Sequence, residues 1–182
     1  TRRYPHIVIL KPVDICPQIC VYCQRNWEIT GPMEAGALPP TEKLDAALEW
    51  FDDHPGLRDV LITGGDPFIL SDDKIDYIVR KLREIDHLEM IRFGTRTPIV
   101  LPQRITPGLQ KILKPYHKIP IWINTQCNHP KEITEKTAEA VYDLLSCGVN
   151  VGNQAVLLKG INDDVDTFRE LHQKLLTVRI RP

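Results

Sequence analysis

The 182 residues carry 23 basic and 24 acidic side chains, a formal net charge of −1, with 42% hydrophobic and 26% charged residues. That length suits one compact domain with a real core, and the balanced charge gives no electrostatic reason to expect a nucleic-acid partner. No apolar run reaches the length of a membrane span and no secretory leader is visible, so the five cysteines are expected in a reducing cytosol, as metal ligands or packed thiols rather than disulfides.

The chain opens without an initiator Met on a polar stretch, Thr1-Arg2-Arg3, and stops at Pro182 just after Thr177-Val178-Arg179-Ile180, which reads as the start of a strand. Both ends read as cut, so residues 1–182 are expected to be one domain of a longer protein. Ile7-Val8-Ile9-Leu10 is the first apolar, β-branched run. Such runs suit strands covered on both faces, as in parallel sheets. A cysteine-bearing loop follows, then a stretch from 28 to 38 containing Gly31, Pro32 and Gly36 that reads as a long loop.

After Thr41, the residues Leu44, Ala47, Leu48 and Phe51 repeat at helical spacing. Val60-Leu61-Ile62 is the second strand. Ser71 with Asp72 and Asp73 starts a helix whose apolar face is Ile75, Ile78, Val79, Leu82 and Ile85. Met90-Ile91-Arg92-Phe93 and Ile121-Trp122-Ile123 read as further strands. Ala138, Val141, Tyr142 and Leu145 form another helical stripe, stopped by Gly148. Val156-Leu157-Leu158 reads as the fifth strand and Phe168, Leu171 and Leu175 as the last helix. Strand starts recur about every 30 residues, the spacing of an eightfold βα barrel of about 250 residues. The fold class is α/β: five βα units and the start of a sixth strand, hence a partial barrel, with a doubly wound sheet as the alternative. In either, the site belongs at the C-terminal ends of the strands.

Two motifs stand there. Cys16-Pro17-Gln18-Ile19-Cys20-Val21-Tyr22-Cys23 has the spacing Cys-x3-Cys-x2-Cys, directly after the first strand. Three thiolates on one loop can hold three irons of a 4Fe–4S cluster and leave the fourth open to a ligand. The alternatives are a zinc site completed by Cys127, His6 or His129, or three incidental cysteines. Thr63-Gly64-Gly65-Asp66-Pro67 ends the second strand, where two glycines allow close approach to the backbone. A strand–turn–helix connection alone would also use a glycine there.

These motifs, with Tyr22 before the last cysteine, resemble the radical S-adenosylmethionine (SAM) enzymes, in which a Gly-Gly-Glu-type motif contacts SAM. Three later stretches resemble the lysine 2,3-aminomutase family: residues 94–106, Asn128-His129-Pro130-Lys131-Glu132-Ile133-Thr134, and Gly152-Asn153-Gln154-Ala155 through Asp163. The opening Thr1-Arg2-Arg3-Tyr4-Pro5 fits as well. The resemblance implies a partial (β/α)6 TIM-like barrel of the radical SAM type and an isomerase that moves an α-amino group of lysine or glutamate to the β-carbon. It implies a 4Fe–4S cluster, S-adenosyl-L-methionine as radical initiator and pyridoxal 5′-phosphate (PLP) as carrier, with the PLP lysine outside this chain.

By the same resemblance Cys16, Cys20 and Cys23 are the cluster ligands, and Arg25 pairs with the substrate carboxylate, a solvated surface arginine being the alternative. Gly64, Gly65, Asp66 and Gln154 contact SAM, and Arg3 holds the PLP phosphate. The chain departs from the pattern at several places and is expected to be a divergent member. Gln24-Arg25-Asn26-Trp27 replaces a more basic run, the loop over 28–38 is longer, and two single positions differ. Ile7 stands where a second phosphate arginine is expected, which keeps a PLP-independent radical SAM reaction open. Gln126 replaces a histidine near SAM. The expected partners are an amino-acid substrate, an external electron donor and further copies of the chain; no nucleic acid or membrane is expected. Cys127 and Cys147 read as packed thiols and His54, His87, His117 and His172 as surface or capping groups. Arg96 and Arg104 have no role assigned.

Overall fold

The computed structural model describes residues 2–29, 41–114 and 119–182; the side chain of Arg3 and the loop containing Gly31, Pro32 and Gly36 lie outside the described residues, as does His117. A short first strand, β1 (Arg2–Tyr4), runs antiparallel to β2 (Ile7–Leu10). The chain then alternates: α1 (Thr41–Asp52), β3 (Asp59–Ile62), α2 (Asp72–Glu84), β4 (Met90–Gly94), α3 (Thr97–Val100), α4 (Pro107–Leu113), β5 (Ile121–Thr125), α5 (Glu135–Ser146), β6 (Asn150–Asn153) and α6 (Val165–Thr177). The sheet order follows the chain, and β2 to β6 are all parallel. This is the expected partial βα barrel.

Register explains why the sheet faces two ways. Val8, Val60, Ile91 and Ile121 form one row across the strands, and Leu10, Ile62, Phe93, Ile123 and Val151 the next. Both rows are sealed beneath the helices. Ile75, Ile78, Val79 and Leu82 of α2, Leu109 and Leu113 of α4, and Leu171 and Leu175 of α6 join the same core. The opposite face carries Ile9, Leu61, Arg92 and Trp122 in one row and is only half-buried. The expectation of two sealed faces therefore holds for one face. On the other, Arg92 forks onto Asp59 with distances of 2.9 and 2.7 Å.

Two strand assignments need correction. Residues 156–158 are not a strand; β6 is the more polar Asn150–Asn153, chosen by pairing with β5 rather than by side-chain propensity. The apolar 156–158 run instead crosses the strand ends, where Val156 N–H donates to Asn128 Oδ1 (2.7 Å) and Leu158 N–H to Asn162 Oδ1 (2.7 Å). The segment 177–180 is not a strand start either. α6 continues to Thr177, Arg179 turns with φ +60°, and pairing resumes only at Arg181, opposite Gly152.

Helix starts follow the sequence. Ser71 Oγ accepts from Lys74 N–H (3.4 Å), Thr106 from Leu109 N–H (3.2 Å) and Thr134 from Thr137 N–H (3.2 Å). Gly148, at φ +88°, ends α5 as expected.

The loop after β2 lies directly on the tip of β3. Gly65 N–H donates to Val13 O (2.7 Å) and Asp66 N–H to Ile15 O (2.9 Å). A Cβ on Gly65 would sit 2.1 Å from Ile15 O, and one on Gly64, already at φ +131°, 2.8 Å from Val13 O. Both glycines are therefore required by the chain's own crossing. Arg104 locks the next turn. Its Nε and Nη2 donate to Phe68 O and Leu70 O, each at 2.9 Å, and Nη2 lies 2.7 Å from Asp72 Oδ1.

Two outcomes follow for stability. Gly65→Ala pushes backbone against backbone and lowers unfolding free energy by about 1–3 kcal/mol, read by denaturant titration. Arg104→Ala removes a charged donor from two half-buried carbonyls and costs about 1.5–3 kcal/mol, with incomplete recovery in Arg104→Lys because an ammonium lacks the planar fork.

Candidate functional site

The C-terminal ends of the strands open onto a cavity of about 410 Å³. Cys16, Cys20, Cys23, Arg25, Gly64, Gly65, Asp66, Gln126 and Gln154 all line it. Every nominated residue whose side chain is described therefore faces one space. The hollow between α1 and α2 around Asp45 and Tyr77 holds none of them, and a neighbouring one beside Arg92 and Trp122 shares only Gln154.

The cysteine loop is tightly turned, with Cys23 N–H donating to Cys20 O at 2.9 Å. The three thiols are only partly buried. Cys23 Sγ accepts from Arg25 N–H at 3.4 Å, and Cys20 Sγ from Arg96 Nη1 at 3.3 Å. The Cys16 thiol is pushed up to about 12, first by burial and then by the Asp66 carboxylate; Cys20 and Cys23 add to the effect, while a backbone hydrogen bond from Asp66 opposes it. A thiolate at Cys16 is therefore costly without a cation beside it, which a bound iron would supply.

Among the described residues no three His, Cys, Asp or Glu side chains are arranged to hold a single metal ion. Two of the three suggested fourth zinc ligands, Cys127 and His129, have other duties. Cys127 is fully buried and donates its thiol to His129 O (3.5 Å), and His129 Nδ1 accepts from Lys131 N–H (3.1 Å). Three thiols around a cavity that also needs cationic charge fit a cluster whose ligands sit on separate irons.

Asp66 is used differently from the expectation. Its carboxylate is buried and accepts from Thr95 Oγ1 (2.5 Å), Arg96 N–H (2.8 Å), Phe68 N–H (3.0 Å) and Thr97 N–H (3.1 Å). Burial raises its pKa, and these four bonds oppose the rise. The side chain braces the tip of β3 to the tip of β4, and Gly64 and Gly65 line the cavity beside it. Gln126 accepts Arg96 Nε at its carbonyl (3.0 Å). Gln154 lies just past β6 and is exposed at the rim; its N–H donates to Thr125 O (2.8 Å).

Arg25 is not a solvated surface arginine. Glu28 takes its Nε (2.9 Å) and Nη2, and Asp14 its Nη2 (3.2 Å). Burial opposes its charge, yet Glu28 and Asp14 hold its pKa above the ordinary value. Among the described residues, Nη1 is buried with no partner. It lies 3.3 Å from where a Gly64 Cβ would be. An unpaired guanidinium N–H beside the cysteine loop is a ready donor to a carboxylate.

Sequence reasoning missed the supporting layer. Asn128 Nδ2 donates to Tyr22 Oη (2.8 Å), and Asn162 Nδ2 to Asn128 O (2.7 Å). Glu132 Oε1 accepts from the N–H groups of Asn128 (2.8 Å) and His129 (2.9 Å), while Oε2 pairs with Arg96 at 2.5 Å. Asn128, His129 and Glu132 lay inside a stretch that carried the resemblance; length without apolar periodicity was the only local signal. The packed-thiol reading holds for Cys127 and also for Cys147, which donates to Leu144 O (3.1 Å). His54, His87 and His172 bond the backbone carbonyls of Trp50, Phe51 and Phe168.

Comparison with known proteins agrees with this geometry. The chain is 47% identical over 182 residues to the L-lysine 2,3-aminomutase of Clostridium subterminale, covering all of this chain and 42% of that protein. It is 45% identical to the L-lysine 2,3-aminomutase of Bacillus subtilis, covering 38% of it. It is 42% identical to the glutamate 2,3-aminomutase of Clostridioides difficile, covering 42% of it. The chain thus spans less than half the length of these relatives. The family model of the Radical SAM superfamily matches residues 10–181, from the last residue of β2 to the pairing at Arg181. With the three cysteines, the glycine pair and strands β3 to β6 all inside that match, the chain belongs to the radical SAM superfamily.

Proposed function

We propose that the complete protein is a radical SAM, PLP-dependent amino-acid 2,3-aminomutase, an isomerase acting on lysine or glutamate. The observation that carries this reading is the joint placement, in one cavity, of three thiols and an arginine with a buried, unpaired N–H. When bound, the cluster and SAM supply a 5′-deoxyadenosyl radical and PLP holds the migrating nitrogen. The chain's own residues bind, orient and shield. Cys16, Cys20 and Cys23 hold the cluster. The Gly64–Gly65 backbone and the side chains of Gln126 and Gln154 face the space beside it, where SAM fits. Arg25, clamped by Glu28 and Asp14, offers Nη1 to the substrate carboxylate and fixes which carbon faces the radical. Asp66, Thr95 and Asn128 keep the strand tips from moving during the reaction.

A second reading, a PLP-independent radical SAM reaction, rests on Ile7. Its half-buried side chain stands on the same sheet face as Ile9, where a phosphate-binding arginine was expected. Arg3 remains the proposed phosphate contact. An external reductant, a reducing cytosolic setting and assembly into homo-oligomers complete the proposal. Among the described residues no helix is long and apolar enough to cross a membrane.

Anaerobic loading with iron and sulfide, then reduction, is expected to give 5′-deoxyadenosine from SAM. Changing Cys16, Cys20 or Cys23 to Ser abolishes it. A colourless, zinc-loaded protein with no SAM cleavage excludes the enzyme reading. Borohydride reduction with PLP is expected to trap a lysyl adduct in the complete protein, and its absence favours the PLP-independent reading. Arg25→Ala is expected to raise KM for lysine or glutamate about ten- to hundredfold while SAM cleavage persists, since a hydrogen bond to a charged group contributes about 1.5–3 kcal/mol.

A further inference from the structure

The three thiols do not receive equivalent hydrogen bonds. Cys23 Sγ accepts from the backbone N–H of Arg25, a neutral donor fixed by the fold, while the Asp66 N–H near Cys16 donates to Ile15 O. Among the described residues, Cys20 Sγ alone receives a charged side chain, Arg96 Nη1 at 3.3 Å. Arg25, the other guanidinium in the cavity, is neutralised by Asp14 and Glu28. Arg96 is paired to one carboxylate, Glu132.

Arg96 is also held on every side. Its backbone N–H donates to Asp66 Oδ2 (2.8 Å), Nε to Gln126 O (3.0 Å), and Nη1 to Gln18 Oε1 (3.1 Å) as well as to Cys20. Its guanidinium carbon lies 5.9 Å from the centroid of the Tyr22 ring. Only 16% of the side chain is exposed, so its charge acts through little water. A lysine there has one nitrogen for acceptors that lie on different sides.

We infer that Arg96 is a positioning residue that pins Cys20 and, through that N–H···S contact, raises the reduction potential of the iron–sulfur cluster. This inference rests on the cluster reading proposed above. One-electron reduction adds negative charge to a centre that already carries three thiolates. A cation donating to one sulfur stabilises the reduced form more than the oxidised form. Glu132 works in the opposite sense, since it compensates the Arg96 charge.

The test is a spectroscopically monitored redox titration of the complete protein, loaded anaerobically and without SAM, with iron and sulfide content measured for each variant. Arg96→Met is expected to make the cluster about tenfold harder to reduce, a downward shift of about 59 mV for one electron. Glu132→Gln leaves Arg96 in place, removes its counter-charge and shifts the potential upward. A purely structural role for this pair would alter cluster content without shifts of opposite sign. Equal potentials, or shifts of the same sign in the two variants, overturn the inference. If Arg96→Met fails to load, Glu132→Gln decides: an upward shift supports the inference, and an unmoved or lower potential overturns it. A wild-type protein that takes up no cluster overturns the reading of the site itself.

Discussion

The Asp66 carboxylate is buried at the tip of β3 and accepts hydrogen bonds from Thr95, Arg96, Thr97 and Phe68. A buried carboxylate is costly unless its lone pairs are filled. Here they are filled mostly from the next strand tip, so the cost of burial becomes a constraint on geometry. The tips of β3 and β4 cannot separate without stranding the charge. The same few residues carry Gly64 and Gly65, which let the cysteine loop cross within backbone contact. The positions of Arg96 and, through Arg96, Cys20 depend on this one group.

Charge is distributed around the cavity with equal economy. Two arginines face it, and each is held by carboxylates outside the cysteine loop. Arg25 keeps a free N–H for a ligand, whereas Arg96 turns one toward a sulfur. The guanidiniums are anchored before anything binds, which lowers the ordering cost of binding. Asn128, Asn162 and Glu132 extend the anchoring to β5 and to the segment after β6. The half-open sheet face continues from this cavity, with Arg92 and Asp59 paired on it.

Much of the fold was legible in the chain. Apolar runs marked four of the five parallel strands, and helical stripes marked α1, α2, α5 and α6. The failures share a cause. β6 carries Asn150, Gly152 and Asn153, residues with poor strand propensity, and is a strand because β5 offers a pairing edge. The apolar 156–158 run is irregular because Asn128 and Asn162 supply its backbone partners. Neither choice is visible in a local window. The nominated cysteine, glycine and glutamine positions all converge on one cavity. The duty of Asp66 was not legible, because its partners arrive from residues 95–97.

What the sequence determined by itself was local chemistry: three thiols at a spacing suited to a cluster, two glycines that permit close approach at a strand tip, and strand and helix periods that force a βα arrangement. Those signals lie within a few residues of one another, within reach of short-range sterics and periodicity. Tertiary structure alone decided what each charged group touches. Arg96 meets Cys20 across 76 residues of chain, and Asn128 meets Tyr22 across 106. Such contacts depend on strand order and register at the barrel mouth, which arise from packing the whole core at once.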